Sequence, residues 1–324
     1  MQIKTTINYN LDLICFLNSM TGNKFFSDFH MESAAKFYPL VSQKIKRCMK
    51  IMLKLQGEAE VAASITLLLS SLNNFDNRDL IEMLKSHAEI KKSMSKTPYS
   101  FKRIEYLFLF RLIRWVIIPL VKELENAGYR DFWQTNRLPL IKERCNEINK
   151  YLEQYDAEKL INQFKNVNGD SSGFTVYICS FAKPLGLKLC GNNILTDFSY
   201  DNDTVFINVT HEAFHPPYDV KNTKHALNVL AKKSWVKDAY KNQNPDTRYN
   251  SMDGFIEENI VEALGIYVAV QLGVAIDPKE YFRTHDSGSH VISPYFYDYL
   301  CEHNKNGSES FDDYFINFVD SLSV

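Results

Sequence analysis

The chain has 324 residues, 45% of them hydrophobic and 23% charged, a balance that excludes a disordered polypeptide and suffices for a sizeable buried core. A formal charge of −2 supplies no concentrated basic surface, so a nucleic-acid partner is not expected. Six cysteines, at positions 15, 48, 145, 179, 190 and 301, form no Cys-x-x-Cys pair, which argues against a disulfide framework and a cysteine-built zinc site and for reduced, mostly buried thiols.

The N-terminal residues lack a basic stretch followed by an unbroken apolar run, so they do not read as a signal peptide and a cytoplasmic location is expected. Apolar residues at helical spacing, among them Phe37, Leu40, Val41, Ile45, Met49 and Met52, predict a helix over 32–55. Further helices are predicted near 58–73, 77–89, 102–126 and 137–166, with Gly128 as a left-handed cap after the third of these. The most apolar stretch, Tyr106 to Val121, carries Arg111, Arg114 and Pro119 and is shorter than the roughly 20 residues that span a bilayer, so it reads as a buried helix and no membrane association is expected. Sequons at Asn202, Asn208 and Asn306 read as chance matches in an Asn-rich chain.

The texture changes near Val167. A polar, turn-forming run from Asn168 to Gly173 precedes a β-branched and aromatic strand over 174–180, and a second strand is predicted at 193–199. Helices return near 222–241, 254–272, 293–303 and 310–322, with Asp253, Ser293-Pro294 and Ser310 with Asp313 placed as N-terminal caps. The expectation is an α+β protein: a helical N-terminal region over 1–166, then a region over 167–324 with a small sheet and the functional helices.

That second region holds His211-Glu212-Ala213-Phe214-His215, an HExxH sequence. On a helix, residues four apart share a face, so both imidazoles can bind one Zn²⁺, and Glu212 lies where it can take a proton from water. Val205, Phe206, Ile207, Val209 and Phe214 surround the motif, and histidines in such a setting need partners. Two features oppose the reading. The run Thr204–Thr210 is β-branched and strand-like, and Pro216-Pro217 should end the helix at or just after His215.

Zinc in a catalytic site takes three protein ligands. Downstream, Glu258, Glu262, Gly265 and Ala269 form one helical stripe, two carboxylates followed by two small residues, which suggests close packing against another helix. If that neighbour carries the motif, Glu258 can ligate the metal and Glu262 can support a ligand histidine. Glu257 competes for the ligand role, although its stripe continues through Val261, Leu264 and Val268 as the edge of a core face.

HEAFH followed 43 residues after His215 by Glu258-Asn-Ile-Val-Glu262 resembles the thermolysin-like zinc peptidases, the gluzincins, in a minimal form shared by many bacterial proteins. The resemblance covers roughly residues 174–300. It implies a zincin-like fold with Zn²⁺ held by His211, His215 and Glu258, and a small sheet whose edge strand, here 193–199, binds an extended substrate. The expected activity is hydrolysis of a peptide or protein substrate with Glu212 as the base. His290 and Tyr297 are candidate catalytic residues that steady the oxyanion, Tyr295 is an alternative, and His285 is a weaker one. Three other readings stand beside it. One is a metal-binding but non-proteolytic regulatory or partner-binding protein. Another is a deformylase-like enzyme drawing a third ligand from Cys179 or Cys190. The third is a helical interaction protein in which the motif is a chance match.

Overall fold

The computed structural model describes residues 3–55, 61–97, 103–164, 173–184, 186–243, 249, 251–303, 305 and 308–322. These residues are mostly helical, with a small mixed sheet, and so form an α+β protein. The run from Asn168 to Ser172 and the sequon at Asn306 lie outside the described residues.

Four strands, β1 (Lys4–Thr6), β2 (Thr175–Cys179), β3 (Leu187–Lys188) and β4 (Asn193–Asp197), lie in the order β1-β2-β4-β3. β1 and β4 both run parallel to β2, and β3 is antiparallel to β4. The strand expected at the sheet edge is therefore an inner one. β4 pairs with β2 from Asn193 to Asp197 and with β3 at Ile194 and Leu195, so most of its backbone is already engaged and cannot pair with an extended substrate.

The chain packs as two units. Among the described residues, one comprises 3–150 and 173–200, the other 151–164 and 201–322. The boundary expected at 166–167 lies outside the described residues, and the packing follows a different division. Because β1 joins β2 across a long stretch of sequence, the sheet belongs with the N-terminal helices. The helix Ala157–Phe164 instead packs with the C-terminal ones, where the Phe164 ring meets Tyr267 at 5.6 Å and Tyr314 at 6.1 Å.

In the sheet-bearing unit the helix Tyr9–Met20 is buried from Leu11 onward. Its one acidic residue, Asp12, accepts hydrogen bonds from Trp133 Nε1 (2.5 Å), Ser180 N (2.7 Å), Ser180 Oγ (2.8 Å) and Phe181 N (3.1 Å), which makes its burial tolerable. Several predicted helices are divided. The helix expected over 32–55 breaks into Met31–Phe37, a 3₁₀ turn at Tyr38–Leu40 and Gln43–Leu55. Pro39 seeds the turn, Val41 is extended, and Ser42 is held by Glu123 through its backbone N (2.7 Å) and its Oγ (2.7 Å). The segments 77–89, 137–166 and 222–241 each separate into two helices in the same way. Arg103–Asn126 is continuous and ends, as expected, at a left-handed Gly128 with φ +80°. No described helix is long and apolar enough to cross a membrane. Cys15, Cys145, Cys179 and Cys190 are buried thiols, while Cys48 is half-buried and Cys301 exposed.

The second unit is built around the helices Asn202–Ala213 and Met252–Gln271. The first forms despite its β-branched residues. Asp201 caps it by accepting from Thr204 N at 2.7 Å, and the Thr210 hydroxyl donates back to Ile207 O at 2.9 Å. The second is capped by Ser251, which accepts from Gly254 N at 3.1 Å, and not by Asp253, which lies in its first turn. Ser310 caps Phe311–Ser321 as expected, accepting from Asp313 N at 3.1 Å. Ser293 opens its helix without capping it. Asn259 of the neighbouring helix takes that role, its Oδ1 accepting from Ile292 N at 2.8 Å.

Candidate metal centre

The helix that carries the motif ends at Ala213, with Phe214 as its C-cap, so His211 lies in the last turn and His215 just beyond it. The proline pair accounts for the stop. His215 still faces His211: Nε2 of one ring is 3.2 Å from Nε2 of the other. The helix Met252–Gln271 crosses this end closely, because Gly265 carries no side chain where His211 lies. It brings Glu258 Oε2 to 3.4 Å from His211 Nε2 and 3.7 Å from His215 Nε2.

A tetrahedral zinc with bonds of about 2.0–2.2 Å holds its donors about 3.3–3.6 Å apart. The separations of 3.2, 3.4 and 3.7 Å bracket that spacing closely, each within about 0.1 Å of it. The outer nitrogens support the same reading. His211 Nδ1 lies 2.6 Å from Glu262 Oε2, and His215 Nδ1 lies 3.0 Å from Glu257 Oε1. An ionised carboxylate only accepts, so each Nδ1 carries a proton, and in the neutral rings each Nε2 turns a lone pair toward the other. Two such lone pairs at 3.2 Å repel unless a proton or a cation joins them. The residues present therefore fit a borderline divalent ion with two imidazoles and one carboxylate.

The charges are arranged accordingly. Burial pulls the His211 pKa down, but Glu262, Glu258 and Glu212 together outweigh it and raise it well above the ordinary value. Burial likewise opposes protonation of His215, and Glu258, Glu257 and Glu212 overcome it. Burial would raise Glu258 and Glu262, yet the facing histidines hold both carboxyls below the usual range. Glu212 is itself buried, and its charge acts on both rings. The Glu258 side chain is 28% exposed against 16% for His211 and 10% for His215, so the centre opens on the glutamate side.

The candidates from sequence fare differently. His211, His215 and Glu258 converge, and Glu262 takes the supporting position expected of it. Glu257 stands at the edge of a core face, as its stripe of buried Val261, Leu264 and Val268 predicts, and it also contacts His215 Nδ1 at 3.0 Å. His290 is 1% exposed and clusters with Glu262 and His285. The Tyr297 ring stands 6.2 Å from Tyr267 and 5.9 Å from Phe282, and it lines a surface pocket with Asp277, Pro294 and Asp298, none of which is a ligand candidate. Tyr295 is exposed and packs on Trp235. Cys179 is buried in the sheet, and Cys190 Sγ donates to Leu67 O at 3.3 Å.

Sequence reasoning passed over Tyr249 and Tyr281. Tyr249 donates to Asp286 Oδ2 at 3.2 Å. Its pKa is raised first by burial and then by Glu258, while that of Tyr281 is raised by burial and then by Glu262. With eighteen tyrosines in the chain and no spacing to single these two out, only the fold distinguishes them.

No family model, no curated protein and no solved structure matches this chain.

Proposed function

We propose that the protein is a zinc-dependent metallopeptidase that hydrolyses peptide bonds in a peptide or protein substrate. The observation that carries the reading is the orientation of the two imidazoles, with each Nδ1 on its own carboxylate and both Nε2 atoms turned to the same point as Glu258 Oε2. A purely structural zinc site is closed by four protein ligands, whereas the three found among the described residues, with the Glu212 charge acting on both rings, suit catalysis.

Zinc bound by His211, His215 and Glu258 would supply Lewis acidity, lowering the pKa of water and polarising a carbonyl. The remaining work falls to the chain's own groups. Glu212 accepts the proton that water gives up as it attacks, then delivers it to the departing amine. Glu262 and Glu257 hold the two rings in the tautomer that offers Nε2. His290, at 1% exposure, is too enclosed to meet a substrate carbonyl directly, and it is left out of this step.

The test is a Glu212→Gln variant assayed beside the wild type on a pool of unstructured peptides, with metal content measured on both. The expected result is about one zinc at this centre in each, with hydrolysis lowered roughly 10²–10⁴-fold in the variant. Metal-loaded wild type that cleaves nothing in the pool would make the protein the metal-binding, non-proteolytic partner-binding type instead. Failure of His211→Ala to lower metal content would remove the metal reading of this centre altogether.

A further inference from the structure

Immediately behind Glu262 lies a second group of donors. Met252–Gln271 contributes Glu262, and the turn after the helix Pro278–Thr284 contributes His285 and His290. One ligand atom from each lies within 4.8 Å of the other two.

Three observations mark this group off from an ordinary polar cluster. His290 is 1% exposed, yet neither ring nitrogen makes a hydrogen bond. Its Nε2 stands 3.4 Å from Asp286 Oδ2 but out of line for one. Glu262 Oε1 is likewise buried with no hydrogen-bond partner, although Oε2 of the same carboxylate lies 2.6 Å from His211 Nδ1. A buried imidazole and a buried carboxylate oxygen are both costly to leave without hydrogen bonds, so the arrangement calls for something to satisfy them. The third observation is the turn between the histidines. Asp286 (φ 44°) and Ser287 (φ 58°) are left-handed without being glycine, and Gly288 follows at φ 75°. This turn folds the chain back so that the two rings stack, with centroids 5.5 Å apart and planes 24° from parallel. The outer ring is braced on Tyr281 at 4.6 Å.

We propose that Glu262, His285 and His290 form a second site for a divalent transition-metal ion, coupled to the first centre through the two oxygens of the Glu262 carboxylate. Two imidazoles and a carboxylate select a borderline ion such as Zn²⁺ or Co²⁺ over Ca²⁺ or Mg²⁺. His285, 45% exposed, is the outer ligand, and a small rotation of its side chain closes the remaining gap around the ion. A cation on Oε1 draws charge from the carboxylate that supports His211, so occupancy of the second site weakens the hold of the first. In this arrangement His290 is a metal ligand and not an oxyanion donor. The coupling rests on the metal reading of the first centre; the second site itself does not.

The experiment is titration of chelator-stripped full-length protein with Zn²⁺, followed by calorimetry and by metal analysis after gel filtration, with Co²⁺ absorption as a second readout. Wild type is expected to bind two equivalents, the second more weakly. His285→Gln alters a half-exposed side chain and should keep the fold, as a thermal melt will verify. It is expected to weaken the second equivalent at least tenfold and leave the first unchanged or tighter. His211→Ala/His215→Ala is expected to retain one equivalent, which His285→Gln then removes. A wild-type stoichiometry of one that His285→Gln leaves intact overturns the second site, as does a second equivalent indifferent to both His285→Gln and His290→Gln. A stoichiometry of one that is lost in His285→Gln but kept in His211→Ala/His215→Ala upholds the second site while refuting the first centre.

Discussion

A Cβ placed on Gly265 would stand 3.1 Å from both the backbone N and the Cα of His211. This absent methyl group is what lets the helix bearing Glu258 and Glu262 approach the end of the helix bearing the motif. Its obstacle is backbone, which cannot swing aside, so Gly265→Ala is expected to destabilise the protein by about 1–3 kcal/mol through overpacking. The same shift moves His211 off the convergence point. Thermal melts should show a lower Tm and metal titration a weaker site, and a variant with unchanged metal affinity would count against this packing as the device that sets the centre.

Glu262 lies against the His211 imidazole and Glu257 against that of His215. Glu262→Gln and Glu257→Gln preserve shape but remove the charge that fixes the Nδ1 proton. Zinc affinity at the first centre is expected to fall roughly 10–100-fold in each. The loss should be larger for Glu262, whose contact is the shorter at 2.6 Å against 3.0 Å. Competition with a chromogenic chelator measures this directly, and equal affinities in all three proteins would dismiss the supporting role.

Asn259 follows Glu258 on the same helix and is fully buried. Its Oδ1 accepts from Ile292 N at 2.8 Å, its Nδ2 donates to Phe255 O at 2.9 Å, and its own carbonyl accepts from Ser293 Oγ at 2.7 Å. It therefore substitutes for a missing cap on Ser293–Glu302 and ties down the segment that follows His290. Asn259→Ala leaves a buried backbone N–H without a partner, for an expected loss of about 1–3 kcal/mol in chemical denaturation. The first metal equivalent should remain.

Burial raises the Asp12 pKa to about 6, against the opposing effect of the hydrogen bonds from Trp133 and Ser180. The unfolded chain releases this proton near pH 3.9. Between about pH 4 and pH 6 the folded state therefore holds more protons than the unfolded one, so this group's contribution to stability is greatest at the acid end and declines as pH rises. The change is on the order of 3 kcal/mol for a shift of about two pH units. Asp12→Asn removes that dependence, and its amide would point a donor at the Trp133 or Ser180 donors. Urea denaturation at pH 4.5 and pH 7 should show the wild type's advantage over the variant shrinking at the higher pH, and a constant gap would contradict the assignment.

Much of the candidate centre was legible in the residues because its logic is local. The i, i+4 spacing of His211 and His215 and the stripe of Glu258, Glu262, Gly265 and Ala269 each follow from the helical repeat alone. The place of Glu257 was not legible. Its stripe through Val261 and Leu264 pointed to a core face, and only the position of His215, two residues past the end of its helix, brings an imidazole to it. Breaks at Pro39, Ser86 and Lys233 were likewise hidden inside hydrophobic periodicity, since helical spacing persists across a short turn.

The amino-acid order by itself determined the helical character of the chain, the strands at 175–179 and 193–197, and a set of residues able to chelate a metal, because propensity, periodicity and ligand spacing are short-range properties. Tertiary structure alone decided that β1 joins strands far along the chain, that β4 is internal, and that His285 and His290 fold back on Glu262. Those outcomes depend on contacts between distant segments, where burial, the tight turn at Asp286–Gly288 and the space left by Gly265 select among pairings that local sequence leaves open.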